Sequence, residues 1–184
     1  MKIGLYGGAF DPVHNGHVAV MRAAHDEGIE KIILIPCGNM PHKRSGAQTD
    51  AQSRIDMLSL AAEDMPYCEI SSYEIQKSEV SYSADTVEYF ASVYDKDEIH
   101  FIVGADSYDY IKDWHQPERI FASSKVVVFP REGYERQQGA QYINMAKVNV
   151  SSSEIREKIK LGQDVSNLLP KRVLEYIINN GLYK

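Results

Sequence analysis

Residues 7–17 read Gly-Gly-Ala-Phe-Asp-Pro-Val-His-Asn-Gly-His, and the segments on either side decide what fold can carry them. Ahead lies a short apolar run, residues 3–6, of the kind that makes a buried first strand. Behind lies a helical pattern over residues 18–26, so the stretch is a strand-to-helix loop. Such a loop suits phosphate. Adjacent glycines remove the Cβ that keeps a ligand off the backbone, and the following helix offers unpaired N–H groups and the positive end of its dipole. His14 and His17, three positions apart, share a face if both lie in the opening turn, where two imidazoles can make charge-assisted hydrogen bonds to a polyphosphate.

Outward from this loop the chain repeats the same arrangement. Apolar runs at 32–35, 99–103 and 126–129 are rich in Ile and Val, nearly continuous, and separated by helical patterns. Strands buried on both faces of a parallel sheet look like this, so the fold class is α/β, with helices on both faces. Weaker strand signals lie at 67–71 and 147–150. Helices are expected over 16–27, 50–64, 83–94, 107–113, 153–161 and 170–180. Ser83 is a candidate cap with Asp85 in the first turn, and Pro170 and Gly181 bracket the last helix.

The totals set limits. At 184 residues, with no linker or repeat, one domain covering 1–184 is expected. A composition 43% hydrophobic and 25% charged is that of a globular rather than a disordered protein. A net charge of -6 argues against nucleic acid as a partner, which normally meets a basic face. No run approaches eighteen apolar residues and the N-terminus enters a strand directly, so neither a membrane partner nor a signal peptide is expected. Two cysteines, Cys37 and Cys68, fit reduced thiols and a cytoplasmic location. They form no CxxC, and no HExxH appears, so a zinc site has no support and no protein metal ligands are expected. The oligomeric state stays open, a homo-oligomer included.

Open parallel sheets bind ligands beyond the carboxyl ends of their strands, and the remaining chemistry-bearing residues fall there. Pro41-His42-Lys43-Arg44 places cations after the second strand, with Arg54 in the next helix either joining them or facing solvent. Gly104-Ala105-Asp106 ends the most apolar strand: small residues admit a flat base, and the carboxylate suits a ribose or caps the next helix. Trp114, the sole tryptophan, lies between polar flanks and reads as a core ring or as a stacking wall for a heterocycle. Ser151-Ser152-Ser153 opens a helix one turn before Arg156, which makes a second anion site, although Ser152 or Ser153 as N-cap with Arg156 in solvent explains part of it.

Taken together, these residues are specific. The first loop resembles the GxFDPxHxGH signature of the nucleotidyltransferase superfamily. With PHK at 41–43, SYSADT at 81–86, FIVGADS at 101–107, Asp113-Trp114, REG at 131–133, VSSSEIR at 150–156 and LPKRVLEYIINNGLY near the end, nearly the whole chain is similar to the bacterial nicotinate-nucleotide adenylyltransferases. The resemblance implies a Rossmann-like nucleotidyltransferase domain that moves AMP from ATP to nicotinate mononucleotide, giving deamido-NAD and pyrophosphate, with Mg²⁺. It further implies that His14, His17, Lys43, Ser152 and Arg156 hold the ATP phosphates. Gly104 and Asp106 face the adenosine, with Gly8 and Phe10 near it. Thr86 and Trp114 hold the nicotinate end, and Arg131 reaches the mononucleotide phosphate.

That chemistry agrees with what the chain lacks. An acceptor phosphate is already a nucleophile, so in-line attack on the α-phosphorus needs orientation and charge stabilisation rather than a Ser/His/Asp or Cys/His set. Mg²⁺ would sit on phosphate oxygens and water, without a carboxylate cage. Ala9, Met40, Ser83, His115, Glu132 and Ser153 depart from the family pattern, and Met40, His115 and Glu132 bear on the choice of acceptor. The rival readings are a phosphopantetheine or glycerol-phosphate type transferase, a preference for nicotinamide mononucleotide, and a silent dinucleotide-binding module. SYSADT and Asp113-Trp114 favour a pyridine nucleotide. Keeping both histidines, Lys43 and Arg156 favours an enzyme.

Overall fold

A computed structural model of the chain describes residues 1–38 and 49–184. Among the described residues, six parallel strands form one sheet: β1 (Lys2–Gly8), β2 (Lys31–Pro36), β3 (Cys68–Ile70), β4 (Glu98–Gly104), β5 (Lys125–Phe129) and β6 (Gln141–Tyr142), in the spatial order β3-β2-β1-β4-β5-β6. The helices between them are α1 (Asn15–Asp26), α2 (Ala51–Ala62), α3 (Ser83–Val93), α4 (Ala105–Tyr108) and α5 (Pro117–Ser123), with a 3-10 turn at Ile111–Asp113; α6 (Ser152–Lys160) and α7 (Lys171–Asn179) close the chain. This is the doubly wound Rossmann-like arrangement.

The uninterrupted apolar runs are explained by two cores, one on each face. Because strand side chains alternate, Ile3, Leu5, Ile33, Ile35, Phe101, Val103 and Val128 pack with Val87 and Phe90 of α3 and Ile120 of α5. Tyr6, Ile32, Leu34, Ile102, Val127 and Phe129 point the other way, toward Val20 and Met21 of α1, Met57 and Leu58 of α2, Ile155 of α6 and Val173 and Ile177 of α7. Strand order reverses between β1 and β4, so a crevice opens beyond Gly8 and Gly104, the last residues of those strands.

The structure corrects several local expectations. The last strand is not 147–150 but Gln141–Tyr142, pairing Val127 and Val128, and Val148 adds only a single bridge to Arg131. Pro130 ends the ladder because it has no N–H to donate, though its carbonyl still accepts from the Val148 N–H at 2.9 Å. The helix expected over 107–113 divides into α4 and the 3-10 turn. Helix α5 was not anticipated, although Pro117 at its first position is a start signal. Tyr82, not Ser83, is the N-cap of α3, and no side chain caps it. Ser151, not Ser152 or Ser153, caps α6, its hydroxyl accepting from the Glu154 N–H at 3.2 Å. No helix among the described residues is long and apolar enough to cross a membrane.

Candidate active site

The loop leaving β1 turns sharply at Phe10, whose φ of +48° is left-handed for a residue with a Cβ. Such a conformation costs on the order of 1–2 kcal/mol. Burial of the ring offsets it: Phe10 wedges edge-on between Tyr6, at 5.6 Å, and His17, at 4.9 Å. The loop then enters α1 through a reciprocal cap. The Nδ1 of His14 accepts from the His17 N–H at 3.4 Å, the Nδ1 of His17 accepts from the His14 N–H at 3.1 Å, and the two rings stack with centroids 3.7 Å apart.

That cap decides the protonation state. A ring whose Nδ1 accepts from a backbone N–H carries its proton on Nε2, so each neutral imidazole keeps Nε2–H as its donor toward the cleft. Burial, with the Arg131 guanidinium adding to it, pushes His14 down to about 3. Burial, then His14 and Arg131, hold His17 well below the ordinary histidine value of 6.5. The expectation of charge-assisted donation is therefore corrected: in the free protein both rings are neutral donors, because a second proton on Nδ1 would break the cap.

Across the crevice, the start of α6 meets this loop. The Ser152 hydroxyl donates to the Pro12 carbonyl at 2.8 Å. Arg156 donates through Nη1 to the Asp11 carbonyl at 2.7 Å and through Nη2 to the Ser153 hydroxyl at 3.2 Å, while its buried Nε has no partner. Gly16 permits the approach, since a Cβ there would lie 2.7 Å from Val148 Cγ1 and 2.9 Å from Val150 Cγ1. Gly104 does the same beyond β4, where a Cβ would lie 2.3 Å from Asp106 Oδ1 and 3.0 Å from Arg131 Cδ. Arg131 pairs with Asp106 at 3.5 Å, which seats it at the Gly104 end of the cleft, close enough to the histidines to depress them.

The far end is lined by α3 and the segment after α4. Thr86 is buried, and its hydroxyl donates to Glu74 at 2.7 Å. Burial raises the Glu74 carboxyl, while the Thr86 hydroxyl and the Gly38 N–H act against that rise. Trp114 is half-buried, edge-on to Phe101 at 6.3 Å and tilted against Tyr110 at 6.4 Å, so it is both anchored to the core and open to the cleft. Tyr82 and His115 pack ring to ring at 4.2 Å beside it.

All these elements line one cleft of about 640 Å³, within the range of ligand sites. It brings together Gly8, Phe10, His14, His17, Thr86, Gly104, Asp106, Trp114, Arg131, Ser152 and Arg156. Lys43 lies outside the described residues. Arg54 does not line this cleft. Buried under the first two strand ends, it donates through Nη1 to the carbonyls of Ala9 and Cys37, each at 3.0 Å, and so ties two loops together. Glu74, Ser81, Tyr82 and Tyr110 also line the cleft; Ser81 and Tyr82 open the SYSADT segment without having been singled out, and no motif pointed to Glu74 or Tyr110.

A donor-rich cleft at the switch point of a 3-2-1-4-5-6 sheet is the mark of a nucleotide-handling α/β protein. The chain belongs to the cytidylyltransferase-like family, whose model matches residues 5–158. Its relatives narrow the class. A Clostridium tetani protein named "Probable nicotinate-nucleotide adenylyltransferase" is 35% identical, with 100% of this chain and 99% of that one aligned. A protein of the same name from Caldicellulosiruptor bescii is 34% identical, with 100% of both covered. The fold is shared with the solved Plasmodium falciparum nicotinic acid mononucleotide adenylyltransferase complexed with NaAD, at a TM-score of 0.83 and 20% identity over 99% of this chain and 97% of that one.

Proposed function

We propose that this chain, as one nucleotidyltransferase domain, transfers AMP from ATP to nicotinate mononucleotide, releasing pyrophosphate and forming deamido-NAD. The observation that carries the reading is the meeting of the two Nε2–H donors of the capped histidine pair with the Arg156 end of α6 in one cleft, at a sheet position suited to a nucleotide.

In this reading the triphosphate lies between the two loops. His14, His17, Arg156, Ser152 and Lys43 contact its oxygens, and Gly104 and Asp106 receive the adenosine, with Gly8 and Phe10 shaping that wall. Arg131, paired with Asp106 at the Gly104 end, reaches the phosphate of the mononucleotide. Thr86 and Trp114 hold the pyridine ring of the acceptor. An oxygen of the acceptor phosphate attacks the α-phosphorus, the bond from that phosphorus to the β-phosphate oxygen breaks, and pyrophosphate leaves with the electron pair. No protein base is required. Contacts to the leaving group tighten as its charge grows, and that differential binding is the source of rate.

The residues fit a metal that arrives with the triphosphate. Among the described residues, no group of three or more His, Cys, Asp or Glu is placed to hold an ion. Mg²⁺ bound mainly by phosphate oxygens and water would add charge neutralisation at the α- and β-phosphates. A cytoplasmic location is part of the same proposal. The test is pyrophosphate release with ATP and nicotinate mononucleotide, nicotinamide mononucleotide, phosphopantetheine or glycerol 3-phosphate in parallel. The reading requires the nicotinate compound to give the highest kcat/KM, and fails if another acceptor exceeds it or if none turns over.

A further inference from the structure

The phosphate loop, residues 11–15, is held by the C-terminal part of the chain. Besides Arg156 on the Asp11 carbonyl and Ser152 on the Pro12 carbonyl, the Asn15 N–H donates to the Leu168 carbonyl at 2.9 Å and the Asn15 amide to the Asn167 carbonyl at 3.0 Å. The last of these ties comes from the chain end. After α7 the backbone turns through Gly181 at φ +62°, and Tyr183 itself takes a left-handed φ of +65°. That is an unfavourable conformation for a tyrosine, held where surrounding contacts fix it. It turns the ring onto the core beside α7 and brings the Tyr183 hydroxyl within 2.6 Å of Asp11 Oδ1. Asp11 is 1% exposed, so this hydrogen bond is made out of water, where it is strongest.

We infer that Tyr183 is a positioning residue for adenylyl transfer: by fixing the Asp11 side chain, it sets the loop whose carbonyls aim Arg156 and Ser152. This rests on the function proposed above. A second bond of the same type provides an internal control. The Tyr176 hydroxyl, on α7, donates to Asp56 Oδ2 at 2.9 Å and joins α7 to α2 away from the cleft. Both bonds stabilise the C-terminal helix, but only the Tyr183 bond reaches the phosphate loop.

The experiment compares Tyr183→Phe with Tyr176→Phe. Each keeps the ring and removes one hydroxyl. Tyr183→Phe is expected to lower kcat/KM for ATP about tenfold while the acceptor KM stays within about twofold, with Tyr176→Phe near wild type in both. Equal effects of the two variants on kcat/KM, or equal losses on the ATP and acceptor sides, would show that Tyr183 is structural only. Asp11→Ala, which removes the accepting oxygen, tests the same bond from its other end in case Tyr183→Phe does not fold. A loss of at least threefold on the ATP side supports the inference, and an unchanged value overturns it. If the wild type releases no pyrophosphate with any acceptor, the function fails, and the positioning claim is then decided by ATP affinity measured calorimetrically. It stands if Tyr183→Phe binds ATP about fivefold more weakly than Tyr176→Phe, and falls if the two are equal.

Discussion

Lowering the pH from 7.5 to 5.0 should destabilise this protein through its histidine pair, and the size of the effect follows from the cap. Both imidazoles are neutral when folded: His14 is pushed down to about 3 and His17 is held well below 6.5, burial being the main cause in each. In the unfolded chain each binds a proton near pH 6.5, so unfolding takes up protons below that value and stability falls with pH. For His14 the loss at pH 5.0 is roughly 2 kcal/mol, continuing downward until the folded value is reached, and His17 acts in the same direction. The assay is urea unfolding at both pH values for the wild type and His14→Asn. Asparagine is a strong N-cap whose side-chain oxygen can accept the bond that His14 Nδ1 accepts now, so the helix start survives while one titrating group is removed. The expected pH-dependent loss is smaller in the variant by about 2 kcal/mol. Carboxylates such as Glu98, held down to about 2 by Lys125 and His100, contribute equally to both proteins and cancel. An identical loss in wild type and variant would refute the neutral, capped state assigned to His14.

Three substitutions test other parts of the site. His17→Ala should leave the fold intact by circular dichroism and lower kcat by about 10²–10³, as loss of a donor to developing charge does elsewhere; near-normal turnover in the folded variant would remove His17 from the phosphate site. Trp114→Ala should raise the acceptor KM about tenfold with little change for ATP, since a lost ring contact acts on the partner it stacks against. Gly16→Ala should cost about 1–3 kcal/mol in chemical denaturation, because the added methyl meets Val148 and Val150 at contacts no real Cβ makes; an unchanged midpoint would mean that α1 and the 148–150 segment part easily.

Much of this architecture is legible in the sequence because it is local. Strands β1, β2, β4 and β5 announce themselves as unbroken apolar runs, which only a sheet covered on both faces requires. Residues 7–17 show a phosphate loop because glycines, histidines and a helix start lie side by side. What was missed depends on distant partners. Strand β6 is two residues long, at an edge, and stops where Pro130 interrupts its neighbour, so it has no run to read. The single helix expected over 107–113 divides at Tyr110, whose φ of -120° and ψ of 19° leave helical geometry between α4 and the 3-10 turn. The protonation of the histidines depends on burial that a linear chain does not display. Arg54 looked like a phosphate ligand or a surface charge and instead joins the loops after β1 and β2 from beneath. The bond between Tyr183 and Asp11 spans nearly the whole chain, and neither segment alone suggests it.

The central claim is that the α-phosphoryl group is the one transferred. It is tested most directly by following radiolabel from ATP in the presence of nicotinate mononucleotide. Label at the α-position should appear in deamido-NAD and label at the γ-position in pyrophosphate. γ-Label in the acceptor, or α-label recovered as ADP, would contradict the account.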